Sequence, residues 1–353
     1  MTQDFVVSAI DAVTPPHPDA TDWFDQRAEL GRGYRHLPPS AQYLLAAVKR
    51  VLAREGVGEA LLAVPEERRA VAVGTNHAVA GVHAEIDRAT IAGEARLLSP
   101  TAVPYFSPNL IASRVAMEHA LKGFSLAVHT PRTAALEALQ AGLRAIRSGR
   151  ADWLLAGATE VVPPESDKAA VSVRGAAEDG ALALVVESAQ AVTACGRRAL
   201  GRVAVRSVFV PPRRAGEPEE VRAAIGVLLD GLCYDTGADV RLIGDGSPVA
   251  RAVSATLGKS SAAPQRGAGL SSTSSYRRVG ATSHDGAEDE RRHIAALPAE
   301  RSGVEAEPAG AGSLGPLQAI AAALTRPTGA QLVVAATAAG NVSAAFVTPT
   351  PSQ

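Results

Sequence analysis

A layered α/β fold is what this sequence predicts, on three observations. Strand, turn, apolar helix and strand alternate through the first 190 residues. Several strands, AVAVG at 70–74 and DWLLAGA at 152–158 among them, have the apolar character of strands covered on both faces. The chain has 353 residues, 46% of them hydrophobic, and can bury a sizeable core without staples.

The elements follow in order. FVVSAIDAV (5–13) reads as a buried strand that ends at the Thr14-Pro15-Pro16 turn. Residues 39–55 form a strongly amphipathic helix: Ser40 is the natural N-cap, and Leu44, Leu45, Val48 and Leu52 share a face. Residues 70–74 are the next strand. A helix over 108–121 opens at Pro108-Asn109 and stops before Gly123. Residues 124–129 are a buried strand, and a turn at Thr130-Pro131 leads into an apolar helix, Thr133–Ser148, closed by Gly149. Residues 152–158 and 180–187 are further buried strands. The second half repeats the grammar more weakly, with strands at 201–209, 239–243, 330–337 and 342–348 and helices at 218–232, 247–257 and 316–325. The Gly/Ser/Ala/Arg-rich stretch 259–312 reads as surface loop, disordered in part.

Composition excludes several functions. With 35 Lys+Arg against 36 Asp+Glu, the net charge of −1 argues against a general nucleic-acid binder. No uncharged apolar run of 18 residues exists, so no membrane partner is expected. Two cysteines, Cys195 and Cys233, exclude a disulfide scaffold and a CxxC zinc site. Free thiols and the absence of a secretory pattern in residues 1–20 lead us to expect a cytoplasmic protein. No metal is expected, because His284 and His293 stand nine apart without ligand spacing. No cofactor is expected either: Gly74-Thr75-Asn76 is not followed by a phosphate-loop lysine. The arginine pairs at 197–198, 213–214, 277–278 and 291–292 read as solvated, or as contacts for an acidic carrier.

Residues 98–160 are more specific. Leu98-Ser99-Pro100 is followed by PYFSPNLIASRVAMEHALKG and then by FSLAVHTPRTAALEALQAGLRAIRSGRADWLLAGATE. The run Ile146-Arg147-Ser148-Gly149-Arg150-Ala151-Asp152 and the strand ending Ala156-Gly157-Ala158-Thr159-Glu160 resemble a ketosynthase of the thiolase-like superfamily. Ala41-Gln42-Tyr43, AVAVGT (70–75) and EDGALALVVES (178–188) resemble flanking segments of that family. The resemblance is good over 1–205 and weak over 206–353, where SLGPLQAI (313–320) and GNVSAAFV (340–347) carry it. It implies a thiolase-like fold: two related halves, 1–205 and a shortened 206–353, each a mixed five-stranded sheet, in α-β-α-β-α layers.

The family's chemistry is missing. A ketosynthase carries its acyl chain on a cysteine at a helix N-terminus, where the helix dipole favours the thiolate. Two histidines then assist decarboxylation of the extender and hold the enolate. Where the family reads V-S-T-A-C-A-T-G, this chain reads Val128-His129-Thr130-Pro131-Arg132-Thr133-Ala134-Ala135. Arg132 falls at the nucleophile position, and a guanidinium stays protonated. The loop expected to hold the first histidine is Gly244-Asp245-Gly246, and Gly312 stands where the second would be. The closing loop is reduced to Ala338-Ala339-Gly340-Asn341.

A ketosynthase-like chain without these groups resembles the chain length factor, the non-catalytic partner in type II polyketide synthases. The resemblance implies a heterodimer with an active ketosynthase and a shared tunnel that limits the chain carried on acyl carrier protein. His129, Arg132, Thr133 and Glu160 are the candidate structural or tunnel residues. A lone histidine such as His129 is more often structural than a base. Glu160 is the first candidate partner for the Arg132 charge, Asp179 the second, and a carboxylate of the partner ketosynthase the third. The alternatives are a stand-alone acyltransferase or condensing enzyme with a site rebuilt around His129, Ser113 or Thr133, and a homodimeric scaffold without a tunnel.

Overall fold

The computed structural model describes residues 4–17, 20–98, 100, 103–163, 178–234, 237–258, 305–308, 312–326 and 329–351. Most of the expected loop 259–312 therefore lies outside the described residues, as do His284, His293 and the arginine pairs at 277–278 and 291–292.

Ten strands are described: β1 (Phe5–Val13), β2 (Arg69–Thr75), β3 (Ser125–His129), β4 (Trp153–Glu160), β5 (Gly180–Ser188), β6 (Gly201–Phe209), β7 (Asp239–Gly244), β8 (Glu305–Pro308), β9 (Gln331–Ala336) and β10 (Asn341–Pro349). They form one mixed sheet in the order β3-β2-β4-β5-β1-β6-β10-β9-β7-β8. The first five and the last five follow the same plan. In each set the first strand is antiparallel to the fifth and the fifth to the fourth, while the fourth is parallel to the second and the second to the third. The two expected five-stranded sheets are thus hydrogen-bonded into one. The join is slight, a single antiparallel pair at Val7–Gly201. On its other side Gly201 is pressed against β10, where a Cβ would run into Pro349 Cα and the Thr348 carbonyl.

The helices are α1 (Gln26–Leu30), α2 (Pro39–Leu52), α3 (Val57–Ala63), α4 (Ala80–Ile91), α5 (Asn109–Glu118), α6 (Ala134–Arg147), α7 (Ala189–Ala194), α8 (Pro218–Asp230), α9 (Pro248–Gly258) and α10 (Leu314–Thr325). The periodic segments formed as expected, with ends moved by a few residues. Ser40 is a correction. The N-cap of α2 is Pro38, and Ser40 lies inside the helix, where its buried hydroxyl donates to Ala78 O at 2.7 Å. Pro39 at the first helical position needs no amide partner and so moves the start back. β8 falls within the stretch 259–312 expected as loop, and its EAEP carries no apolar run that would mark a strand.

Burial sorts into three cores. One surrounds α6 and α10 and joins Leu136, Leu139, Leu154, Leu184, Leu317 and Ile320. A second packs α2 and α5 on the first strand set, and a third packs α8 and α9 on the second. β3, expected to be buried, is the sheet's edge; Ser125 and His129 are exposed and the residues between them half-buried. Gly74 brings the start of α6 onto β2, since a Cβ there would overlap the Ala134–Ala135 backbone. At this end of the sheet β2 and β4 finish, α6 and α10 begin, and the site is built.

Candidate active site

Arg132 occupies the turn between β3 and α6 with φ +58°, a left-handed conformation uncommon for a side chain of this size. Its side chain is only 6% exposed, and Nη1 donates to Asp245 Oδ2 at 3.4 Å. A cation at a helix N-terminus opposes the dipole, so a carboxylate here offsets an unfavourable position. Burial pushes the Arg132 pKa down, and the charges of Asp245 and Glu178 push back.

Asp245 follows β7. Its Oδ1 accepts from Ser247 N at 3.0 Å, and its Oδ2 also accepts from Ala338 N at 2.8 Å. Burial raises its carboxyl, but the Ser247 and Ala338 donors and the Arg132 charge outweigh that and hold it below the usual range. One carboxylate therefore ties together the turn before α6, the loop after β7 and the turn after β9.

Glu160 was the expected partner of Arg132, and the structure gives it different work. It is fully buried at the end of β4, with Oε1 accepting from Asn76 N at 2.7 Å, Ser313 N at 2.8 Å and Ser313 Oγ at 2.7 Å. Its Oε2 accepts from His77 N at 2.7 Å, and His77 Nδ1 lies 3.8 Å away. Burial first, then the Glu178 charge, raises its pKa to about 7 against these donors. Asp179, the second expected partner, instead accepts from Trp23 Nε1 at 2.8 Å.

Glu178 precedes β5 and reaches the start of α10. Its Oε2 accepts from Leu314 N at 2.6 Å, and Gly315 N donates to it as well. Burial raises its pKa too. Gly312 is buried beside it. A Cβ on Gly312 would stand 2.9 Å from Glu178 Cδ and 3.0 Å from Glu160 Cγ, and closer still to Glu178 Oε2.

The other sequence candidates sit nearby without assembling a nucleophile. His129 is exposed at the end of β3. Thr133 is buried, donates to Pro131 O at 3.4 Å and lies 3.3 Å from Thr130 Oγ1. Ser113 is half-buried on α5. Among the described residues no hydrogen bond joins any two of these three. No group of three metal-ligating side chains occurs among the described residues. No helix among them is long and apolar enough to cross a membrane. Cys195 and Cys233 are exposed.

Sequence reading missed the working roles of Asp245, Glu178 and Ser313. Their only signal was placement: each stands where a strand ends or begins, or where a helix opens. The nucleophile turn, the loop after β7, Gly312 and the turn after β9 do converge, so the segments singled out as degenerate share one place.

Residues 20–183 match the family described as beta-ketoacyl synthase, N-terminal domain. No curated protein matches the chain. Solved structures do. A type II polyketide synthase ketosynthase bound to a hexaketide, in complex with its acyl carrier protein, is similar at 14% identity and TM-score 0.66, over 99% of this chain and 100% of that one. The ishigamide ketosynthase/chain length factor is similar at 20% identity and TM-score 0.68, over 98% and 99%. The oxazolomycin ketosynthase domain of Streptomyces albus JA3453 is similar at 15% identity and TM-score 0.65, over 99% of this chain and 76% of that one. Residues 20–183 thus match the N-terminal domain of beta-ketoacyl synthases, and the fold along almost the whole chain is that of solved ketosynthases and of a ketosynthase/chain length factor.

Proposed function

We propose that this chain is a non-condensing ketosynthase-like subunit, a chain length factor, that pairs with an active ketosynthase in type II polyketide biosynthesis and helps shape the tunnel for an acyl chain held on acyl carrier protein. The observation that carries the reading is Arg132 itself: where the resemblance places a nucleophile stands a buried guanidinium paired with Asp245 in a left-handed turn. A protonated guanidinium cannot attack a thioester. The Gly244-Asp245-Gly246 loop and Gly312, where the resemblance places the two histidines, support the same reading. His129, Arg132, Thr133 and Glu160 are then structural or tunnel-wall residues rather than catalytic ones. The two halves are then the related units of the fold, layered α-β-α-β-α, with their boundary moved from the expected 205 to before β6, since a cut at 205 would split that strand.

A heterodimer suits the surface. Among the described residues β3 pairs only with β2, which leaves a strand edge open. Ile91, Leu97, Phe106 and Met117 are large apolar side chains exposed on α4, α5 and the segment between them. Two of the similar structures are a ketosynthase/chain length factor and a ketosynthase in complex with its acyl carrier protein, which is the setting proposed here.

Co-expression with a ketosynthase from the same gene neighbourhood tests the reading. A stable 1:1 complex is expected, burying about 2,000 Å² or more as obligate interfaces do. Intact mass after incubation with acyl carrier protein should show no acyl adduct on this chain. A monodisperse monomer that binds no such ketosynthase would overturn the pairing. A stoichiometric adduct on Ser113, Thr133 or a cysteine would favour a rebuilt acyltransferase instead.

A further inference from the structure

Resting on the reading that the site does not condense, we infer that Glu178 is an internal ligand of the α10 N-terminus and fills the pocket that a side chain at position 312 would need. Helix N-termini offer unpaired N–H groups and a positive dipole end, which suits an anion. In α10 the occupant is part of the chain. Glu178 takes the N–H groups of Leu314 and Gly315, while Glu160 takes Ser313 N and its hydroxyl. Two carboxylates from the first half thereby close the start of a helix from the second.

The same atoms exclude a side chain at Gly312. A Cβ there meets Glu178 Cδ at 2.9 Å and Glu160 Cγ at 3.0 Å, below the ordinary range of such contacts. Glu178 is the far end of a flexible side chain and could turn aside, but only by orphaning the Leu314 and Gly315 donors it now satisfies. The two residues that follow it are held in place: Asp179 accepts from Trp23 Nε1, and Gly180, at φ +113°, packs against the Val13 carbonyl. Glu160 has no room to give, with four donors on its two oxygens. Occupation by Glu178 and a side chain at 312 are therefore alternatives. Returning a cysteine at 132 and a histidine at 312 would not rebuild a condensing site while Glu178 remains.

A double-mutant cycle and a rescue test this. Gly312→Ala should lower the melting temperature by several degrees. Glu178→Ala should lower it as well. The pair together should be more stable than the two losses summed, because Glu178→Ala opens the space that the new methyl group needs. Acetate at tens of millimolar should raise the melting temperature of Glu178→Ala, with chloride at equal ionic strength as control, and should leave the wild type unchanged. If Glu178→Ala fails to fold, Glu178→Gln replaces it in the cycle, with a smaller coupling of the same sign expected. Additive losses, or a Gly312→Ala chain as stable as wild type, would overturn the inference. So would acetate acting equally on wild type and variant. Acylation of this chain by a carrier protein would overturn the proposed function yet leave the coupling standing, so the two failures are distinguishable.

Discussion

The N-termini of α6 and α10 lie at the same end of the sheet and are built in opposite senses. α10 begins with two carboxylates on its free N–H groups, so charge and dipole agree. α6 begins with Arg132, where charge and dipole disagree, and Asp245 from the second half supplies the missing negative charge. The first arrangement needs nothing beyond its own donors. The second draws on a carboxylate held by a distant loop. The comparison teaches that a buried charge set against a helix dipole leans on carboxylates brought from distant parts of the chain, Asp245 among them.

The sharpest way to break this comparison is to remove that partner. Asp245→Ala should destabilise the chain by about 3–5 kcal/mol, the usual cost of leaving one member of a buried pair alone. Urea denaturation reads it, and a loss below about 1 kcal/mol would mean that Arg132 does not depend on Asp245.

Glu160→Ala comes next. It strips the acceptor from the amides of Asn76, His77 and Ser313 and from the Ser313 hydroxyl. Orphaned buried donors cost about 1–3 kcal/mol each at most, and partial relaxation should leave a net loss of about 3 kcal/mol. Thermal melts beside Asp245→Ala would rank the two helix ends. A larger loss at α10 than at α6 would reverse the comparison.

The pH dependence separates them further. Glu160 has a folded pKa of about 7 against an ordinary 4.5, so between those values the native state holds a proton that the unfolded chain has released. Its contribution is fully present below 4.5 and is lost as pH rises through about 7, amounting to roughly 3 kcal/mol at most. Glu178 is shifted the same way and adds to the trend. Asp245 is shifted down, so its contribution is lost only in acid, below the ordinary aspartate range. Stability should therefore fall from pH 5 to pH 8, and the fall should shrink in Glu160→Gln. A profile that is equally steep in that variant would place the titration elsewhere.

The smallest effect belongs to Glu137 in the first turn of α6. It accepts from Thr130 Oγ1 at 3.1 Å and from Asn341 Nδ2 at 3.3 Å, and its charge opposes neither neighbour nor dipole. Glu137→Gln should cost no more than about 1 kcal/mol in a denaturant titration. A loss equal to that of Asp245→Ala would show that Glu137, rather than Asp245, balances Arg132.

The sequence by itself determined the α/β class, nearly every long element and the place of the turn before α6. Those follow from local periodicity and from turn residues such as Thr130-Pro131 and Gly149, which act within a few positions of themselves. It also set Arg132 at the head of α6 and so required a partner of opposite charge. Only the tertiary structure decided which one. Asp245 lies 113 residues away, and Glu160, the nearer guess, was already taken by Ser313, a residue 153 positions on. Likewise the joining of the two strand sets at Val7–Gly201, the edge position of β3 and the filling of the Gly312 pocket by Glu178 are decided by packing. Pairing between distant carboxylates, guanidinium and amides leaves no periodic trace in a chain, because any exposed charge reads the same until the fold buries it.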